Sequence, residues 1–112
     1  MGLQSVPTED AASLANLVNA RKGTVASRSL TKGAGINMTL FAFAEGESVS
    51  EEIYPQDVMY LQVEGAAAIV FADRRVSLAA GEVIAVPAGT SHAVEPAGSD
   101  GFKVLQVFVP VA

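Results

Sequence analysis

The run Gly81-Glu82-Val83-Ile84-Ala85-Val86-Pro87-Ala88-Gly89-Thr90-Ser91-His92 decides how this sequence is read. Gly81 suits a tight turn between two strands. Val83 to Val86 is an apolar run of the kind that forms a buried strand. Pro87 lacks an N–H and stops sheet pairing, and Gly89 permits the sharp turn that follows. His92, the sole histidine of the chain, then opens a strand expected over 91–95. A hairpin corner stiffened by proline and glycine aims one side chain at a fixed point. His92 is therefore the first candidate functional residue.

Working outward, the texture stays that of short strands. Val58 to Glu64 is a strand ending at Gly65. Ala66 to Ala72 and Arg75 to Ala79 read as a pair joined by an Asp73-Arg74 turn. Ile36 to Ala44 carries apolar residues on both parities, so both of its faces should be covered. Thr24 to Thr31 precedes it, and Phe102 to Val109 closes the set. Turns are expected at 32–35 and 45–47. Eight or nine strands at short, regular spacing indicate a sandwich or barrel of antiparallel strands. Residues 1–23 differ. Met1 to Asp10 is polar, and Leu14, Leu17 and Val18 then fall at helical spacing, with Asp10 as a candidate cap. The expected organisation is an N-terminal arm with a short helix or turn over 1–23, and a β domain over 24–112.

Composition narrows the function. A chain of 112 residues, half of them hydrophobic and 17% charged, suits a single globular domain. A formal charge of −5 argues against nucleic acid and against anionic membrane surfaces as partners. Without cysteine there is neither a disulfide framework nor a thiolate metal site. No apolar run reaches the roughly 18 residues of a membrane span. The first residues lack a basic start followed by an apolar core, so a cytoplasmic location is expected.

The spacing Gly81, Pro87, Gly89, His92 resembles the second conserved motif of the cupins. The first cupin motif has a glycine at each end and two histidines and a glutamate between them. Here Gly46 and Gly65 fit its ends, while the three positions between read Glu52, Tyr54 and Val58. The last position of the second motif, an asparagine in the family, is Pro96. The resemblance spans roughly residues 35 to 109. It implies a small RmlC-like jelly-roll β-barrel (a double-stranded β-helix), often dimeric, with a metal or small molecule in its mouth. Cupins include dioxygenases, isomerases, epimerases and sugar-binding regulators, so the fold selects no activity.

The usual cupin metal set is three histidines and one glutamate. This chain supplies His92 and, if Glu52 faces inward, one carboxylate. Glu52 and Tyr54 are two residues apart, so on one strand they share a face. Glu52 and His92 are thus the candidate metal ligands, with Fe, Mn or Ni as the ions that accept mixed oxygen and nitrogen donors. Each candidate also has a plainer role. Glu52 belongs to an acidic run with Glu45, Glu47 and Glu51, which reads as a solvated loop. Tyr54 reads as wall packing, and His92 as a histidine in a structural hydrogen bond. Tyr60 and Gln62 share parity with Val58 and face the bore if it does.

Three functions follow. The first is a binding module that takes a small organic molecule against Glu52, Tyr54, Tyr60, Gln62 and His92. The second is a metal-dependent dioxygenase or isomerase built on Glu52 and His92. The third is a metal-free isomerase with His92 as base and Tyr54 as acid. Beside these stands a purely structural or partner-binding role through a dimer face, for which Met59, Leu61 and Val63 supply core or interface equally well; the expected assembly is a homodimer.

Overall fold

The structure is a computed structural model that describes residues 1–33 and 35–111. Ala34, placed by sequence in the 32–35 turn, and Ala112, at the end of the 24–112 domain, lie outside the described residues. Among the described residues nine strands follow one 3-10 turn at Leu14–Leu17: β1 Val25–Ser29, β2 Asn37–Phe43, β3 Val49–Glu52, β4 Asp57–Glu64, β5 Ala67–Val70, β6 Arg75–Leu78, β7 Val83–Val86, β8 His92–Pro96 and β9 Phe102–Val109. They form a five-stranded sheet in the order β1-β2-β9-β4-β7 and a four-stranded sheet in the order β3-β8-β5-β6. Every pairing is antiparallel. The architecture is the all-β jelly roll expected from the sequence. No helix among the described residues is long and apolar enough to cross a membrane.

Alternation along the strands builds two cores. On β4 the inward residues are Val58, Tyr60 and Gln62, and on β9 they are Phe102, Val104 and Gln106; all six are buried. With Phe43, Ile69, Val86 and Val94 their apolar members fill the space between the sheets. The opposite parity of the five-stranded sheet is covered in part by the N-terminal arm. There Val18, Leu30, Leu40 and Ala42 are buried together, with Leu14, Leu17 and Leu105 against them. This explains the apolar residues on both parities of β2: the barrel core lies under one face and the arm over the other. Lys103 fixes the arm, its ammonium donating to the Ala15 carbonyl at 2.5 Å and the Asn19 side-chain oxygen at 3.0 Å.

Some local expectations shift. The arm holds a single 3-10 turn preceded by Ser13 with no side-chain cap, so Asp10 does not cap it. In β7 only Val86 is fully buried, while Val83 and Ala85 are exposed, because they share the outer parity of their partners Leu61 and Met59. The Pro87–Gly89 corner is not a hairpin. It carries the chain from β7 in the five-stranded sheet to β8 in the four-stranded one. Among the described residues, consecutive strands pair within one sheet only at β1–β2 and β5–β6. Gly65 marks another crossing, from β4 to β5. Its φ is +71°, and a Cβ there would lie 2.8 Å from the Gly101 carbonyl oxygen, so glycine is required.

Candidate functional site

Two segments distant in sequence are tied together at one end of the barrel. The Gly89 N–H donates to the Tyr54 carbonyl at 2.8 Å. The Ala88 N–H donates to the Asp57 carboxylate at 2.8 Å. Pro87 offers no N–H, and Gly89 takes a φ of +79° that lets the chain reverse. The corner that launches β8 is thus bolted to the loop before β4. His92 and Tyr54 are both held by that joint.

His92 is buried, and its ring nitrogens are both engaged. Nδ1 lies 2.9 Å from the Thr90 carbonyl oxygen. A carbonyl only accepts, so Nδ1 carries the proton. In the neutral ring, Nε2 is then an acceptor, and the Tyr60 hydroxyl donates to it at 2.8 Å. The Gln106 amide in turn donates to the Tyr60 oxygen at 3.2 Å. Tyr60 and Gln106 are cross-strand partners on β4 and β9, which sets their approach. The result is one directed chain, Gln106 to Tyr60 to His92 to the Thr90 carbonyl. Burial pushes the Tyr60 hydroxyl up to about 12, with Gln106 offsetting part of the rise and the Tyr54 and Glu52 charges adding to it.

Beside this chain lies a cavity of about 160 Å³, lined by Glu52, Tyr54, Tyr60, His92 and Gln106 together with Phe41, Phe43 and valines 49, 94 and 104. Tyr54 packs edge-on against Phe108 and His92, with ring centroids 4.8 and 5.8 Å apart. It is half-buried. That burial raises its hydroxyl above the ordinary tyrosine range; the Gln106 amide lowers it and the Glu52 carboxylate raises it further. Glu52 is the register partner of His92 across β3 and β8 and stands exposed at the mouth.

The structure therefore brings Glu52, Tyr54, Tyr60 and His92 around one space. Glu52 and Tyr54 do not share a strand face, since β3 ends at Glu52 and Tyr54 follows in the loop. Gln62 is inward and buried but does not line the cavity. Its amide nitrogen donates to the Glu64 carbonyl at 3.1 Å, and its side-chain oxygen has no partner. Gln106 was missed by sequence reasoning. It sits on the inward parity of β9 between Val104 and Phe108, and a lone polar residue on an apolar stripe was the signal that could have found it.

The metal implied by the cupin resemblance does not fit these residues. Among the described residues no three His, Asp or Glu side chains cluster to hold an ion. Val58, at the glutamate position of the first motif, is packed in the core. The free lone pair of His92 points at the Tyr60 hydroxyl, so the one imidazole is already used.

Comparison with known proteins agrees with the architecture. No family model matches the chain. A cupin superfamily protein from Desulfitobacterium hafniense is 39% identical, with a TM-score of 0.92 over 97% of this chain and 98% of its own. A conserved protein of unknown function from Streptococcus pyogenes has a TM-score of 0.88 at 22% identity, over 100% of this chain and 96% of its own. An uncharacterized protein of Streptomyces coelicolor, SCO3923, is 35% identical over 75 residues, which is 67% of this chain and 70% of that protein.

Proposed function

The chain belongs to the cupin superfamily, and on that premise we propose that it binds a small organic molecule inside the barrel without a metal. One observation carries this reading. Tyr60 occupies the lone pair of His92 beside a cavity lined mostly by aromatic and aliphatic side chains, with Ser50, Glu52 and Gln106 as its other polar residues. At about 160 Å³ the space is comparable to an engineered apolar cavity of about 150 Å³ that takes up benzene. The bound molecule is therefore small.

Two measurements test it. Protein purified without chelator and reloaded with Fe, Mn or Ni should retain less than about a tenth of an equivalent of metal. A stoichiometric, tightly held ion would overturn the metal-free reading and restore Glu52 and His92 as ligands. Fragment binding followed by NMR should shift the methyl signals of Val49, Val94 and Val104. Shifts confined to other surfaces would overturn binding in the barrel.

The 2.8 Å contact between Tyr60 and His92 supports a second reading, a metal-free acid–base isomerase. His92 would be the base, with Tyr60 or the rim residue Tyr54 as the acid. In an isomerisation assay, loss of turnover in His92→Ala with folding intact supports it; full turnover sinks it. We also propose a homodimer through the part of the outer sheet that the arm leaves bare, where Met59, Val83 and Val109 are exposed. A monomeric mass by light scattering at assay concentration would count against that assembly.

A further inference from the structure

We propose that the molecule held in the barrel is a small organic cation, an ammonium carried on an apolar body the size of a single ring. This rests on the binding reading above and adds the charge of the ligand. Glu52 is the sole carboxylate on the cavity lining, and no Lys or Arg lines it. Among the described residues Glu52 has no ion-pair partner; the recorded pairs are Arg75 with Glu95 and Lys103 with Glu64. A carboxylate at the mouth of an apolar cavity is thus left without a counter-ion.

The walls point the same way. Phe41, Phe43, Tyr54 and Tyr60 all contribute to the lining. Aromatic rings carry negative faces and positive edges, so a cation is favoured wherever a ring turns its face to the ligand. The imidazole offers a ligand no free nitrogen, because both are taken by the Tyr60 hydroxyl and the Thr90 carbonyl. A carboxylate or phosphate ligand would meet no cation there. A polyhydroxylated ligand would find Tyr60, His92 and Gln106 already bonded to one another, leaving Ser50, Glu52 and Tyr54 as its polar partners. Burial is the main cause that raises the hydroxyls of both tyrosines, and the Glu52 charge adds a smaller rise to each. The net charge of −5 favours the approach of cations over anions.

Three probes with one ring and different charge test this: benzylammonium, benzyl alcohol and benzoate, each titrated against the native protein while the valine methyls of the lining are followed by NMR. Benzylammonium should bind at least about 5-fold more tightly than benzyl alcohol, in the range that cation–π contact provides, and benzoate most weakly. Glu52→Gln should shrink the advantage of the ammonium over the alcohol. Equal affinity for ammonium and alcohol, or preference for benzoate, overturns the inference about charge while leaving binding in the barrel intact. Silence of the lining methyls with all three probes overturns both.

Discussion

The two faces of the five-stranded sheet are built from the same strands and the same alternation, yet they end differently. On the outer face, Leu40, Ala42 and Leu105 meet the arm, and one lysine reaches across to clamp it. On the inner face, residues one position away in the same strands leave about 160 Å³ unfilled beside a chain of three polar side chains. Close packing is the rule in protein interiors, and a void there forfeits contacts. The outer face also leaves space, an open cleft of about 430 Å³ under the arm between Leu3, Leu14, Leu17, Leu30 and Met38, but lines it with apolar side chains. The inner face departs from close packing where polar groups are most carefully paired. The lesson is that hydrogen-bonded order around unfilled space, rather than burial alone, separates the candidate site from the scaffold.

The sharpest way to break that contrast is to remove a large side chain from each face. Phe102, stacked on Phe43 at 4.3 Å, faces inward, and its truncation in Phe102→Ala should cost about 3–5 kcal/mol. Leu40, fully buried on the outer face, should cost about 2–5 kcal/mol in Leu40→Ala. Denaturant melts should show one transition for both variants. If Leu40→Ala leaves the midpoint unchanged and only raises hydrogen exchange in residues 14–18, the arm is a separate layer and the two faces are not one cooperative unit.

The inner face should also be the one that responds to high pH. The Tyr60 hydroxyl lies at about 12 in the fold against its ordinary 10.0, so the unfolded chain loses that proton first. Stability from this group is whole below pH 10 and is lost as pH rises toward 12, by roughly 2–3 kcal/mol in all. Tyr60→Phe should flatten that part of the stability profile. At neutral pH the same variant should cost about 1–3 kcal/mol, because His92 and Gln106 each lose a buried partner. An unchanged profile in Tyr60→Phe would mean that the polar chain is incidental.

The smallest effect belongs to the clamp. Lys103→Met keeps the apolar stem and removes the bonds to Ala15 and Asn19. It should cost about 1 kcal/mol and speed exchange in the arm, with the lining methyls unmoved. Movement of those methyls would show that the arm and the cavity communicate.

How much of this was legible in the sequence depended on whether the cause was local. The Gly81–His92 run revealed the turn, the strand and the placement of His92, because proline and glycine act on their own backbone. Alternation along β2 revealed two covered faces. The sheet to which a strand belongs was not legible. Val83–Val86 and His92–Pro96 flank a tight corner, which reads as a hairpin, and only the pairing of β7 with β4 and of β8 with β5 and β3 separates them. Tyr54 reached the cavity from a loop rather than from a shared strand, through a bond from Gly89 that no local pattern encodes. Gln106 and Gln62 look alike in sequence, as single glutamines on inward parities. Their difference comes from what lies across the sheet: Tyr60 opposite the one, Val104 opposite the other.

The position of β9 has a consequence for biosynthesis. It is the last of the nine described strands, yet it lies at the centre of its sheet, between β2 and β4. Until residues 102–109 leave the ribosome, the β1–β2 hairpin and the β4–β7 pair have no strand to join them. The unfinished sheet meanwhile offers unpaired edges on both pieces, and such edges invite association between nascent chains. Folding of this barrel is therefore a late, nearly all-at-once event governed by non-local pairing, and a stall in translation just before Phe102 is where misassembly is most to be expected.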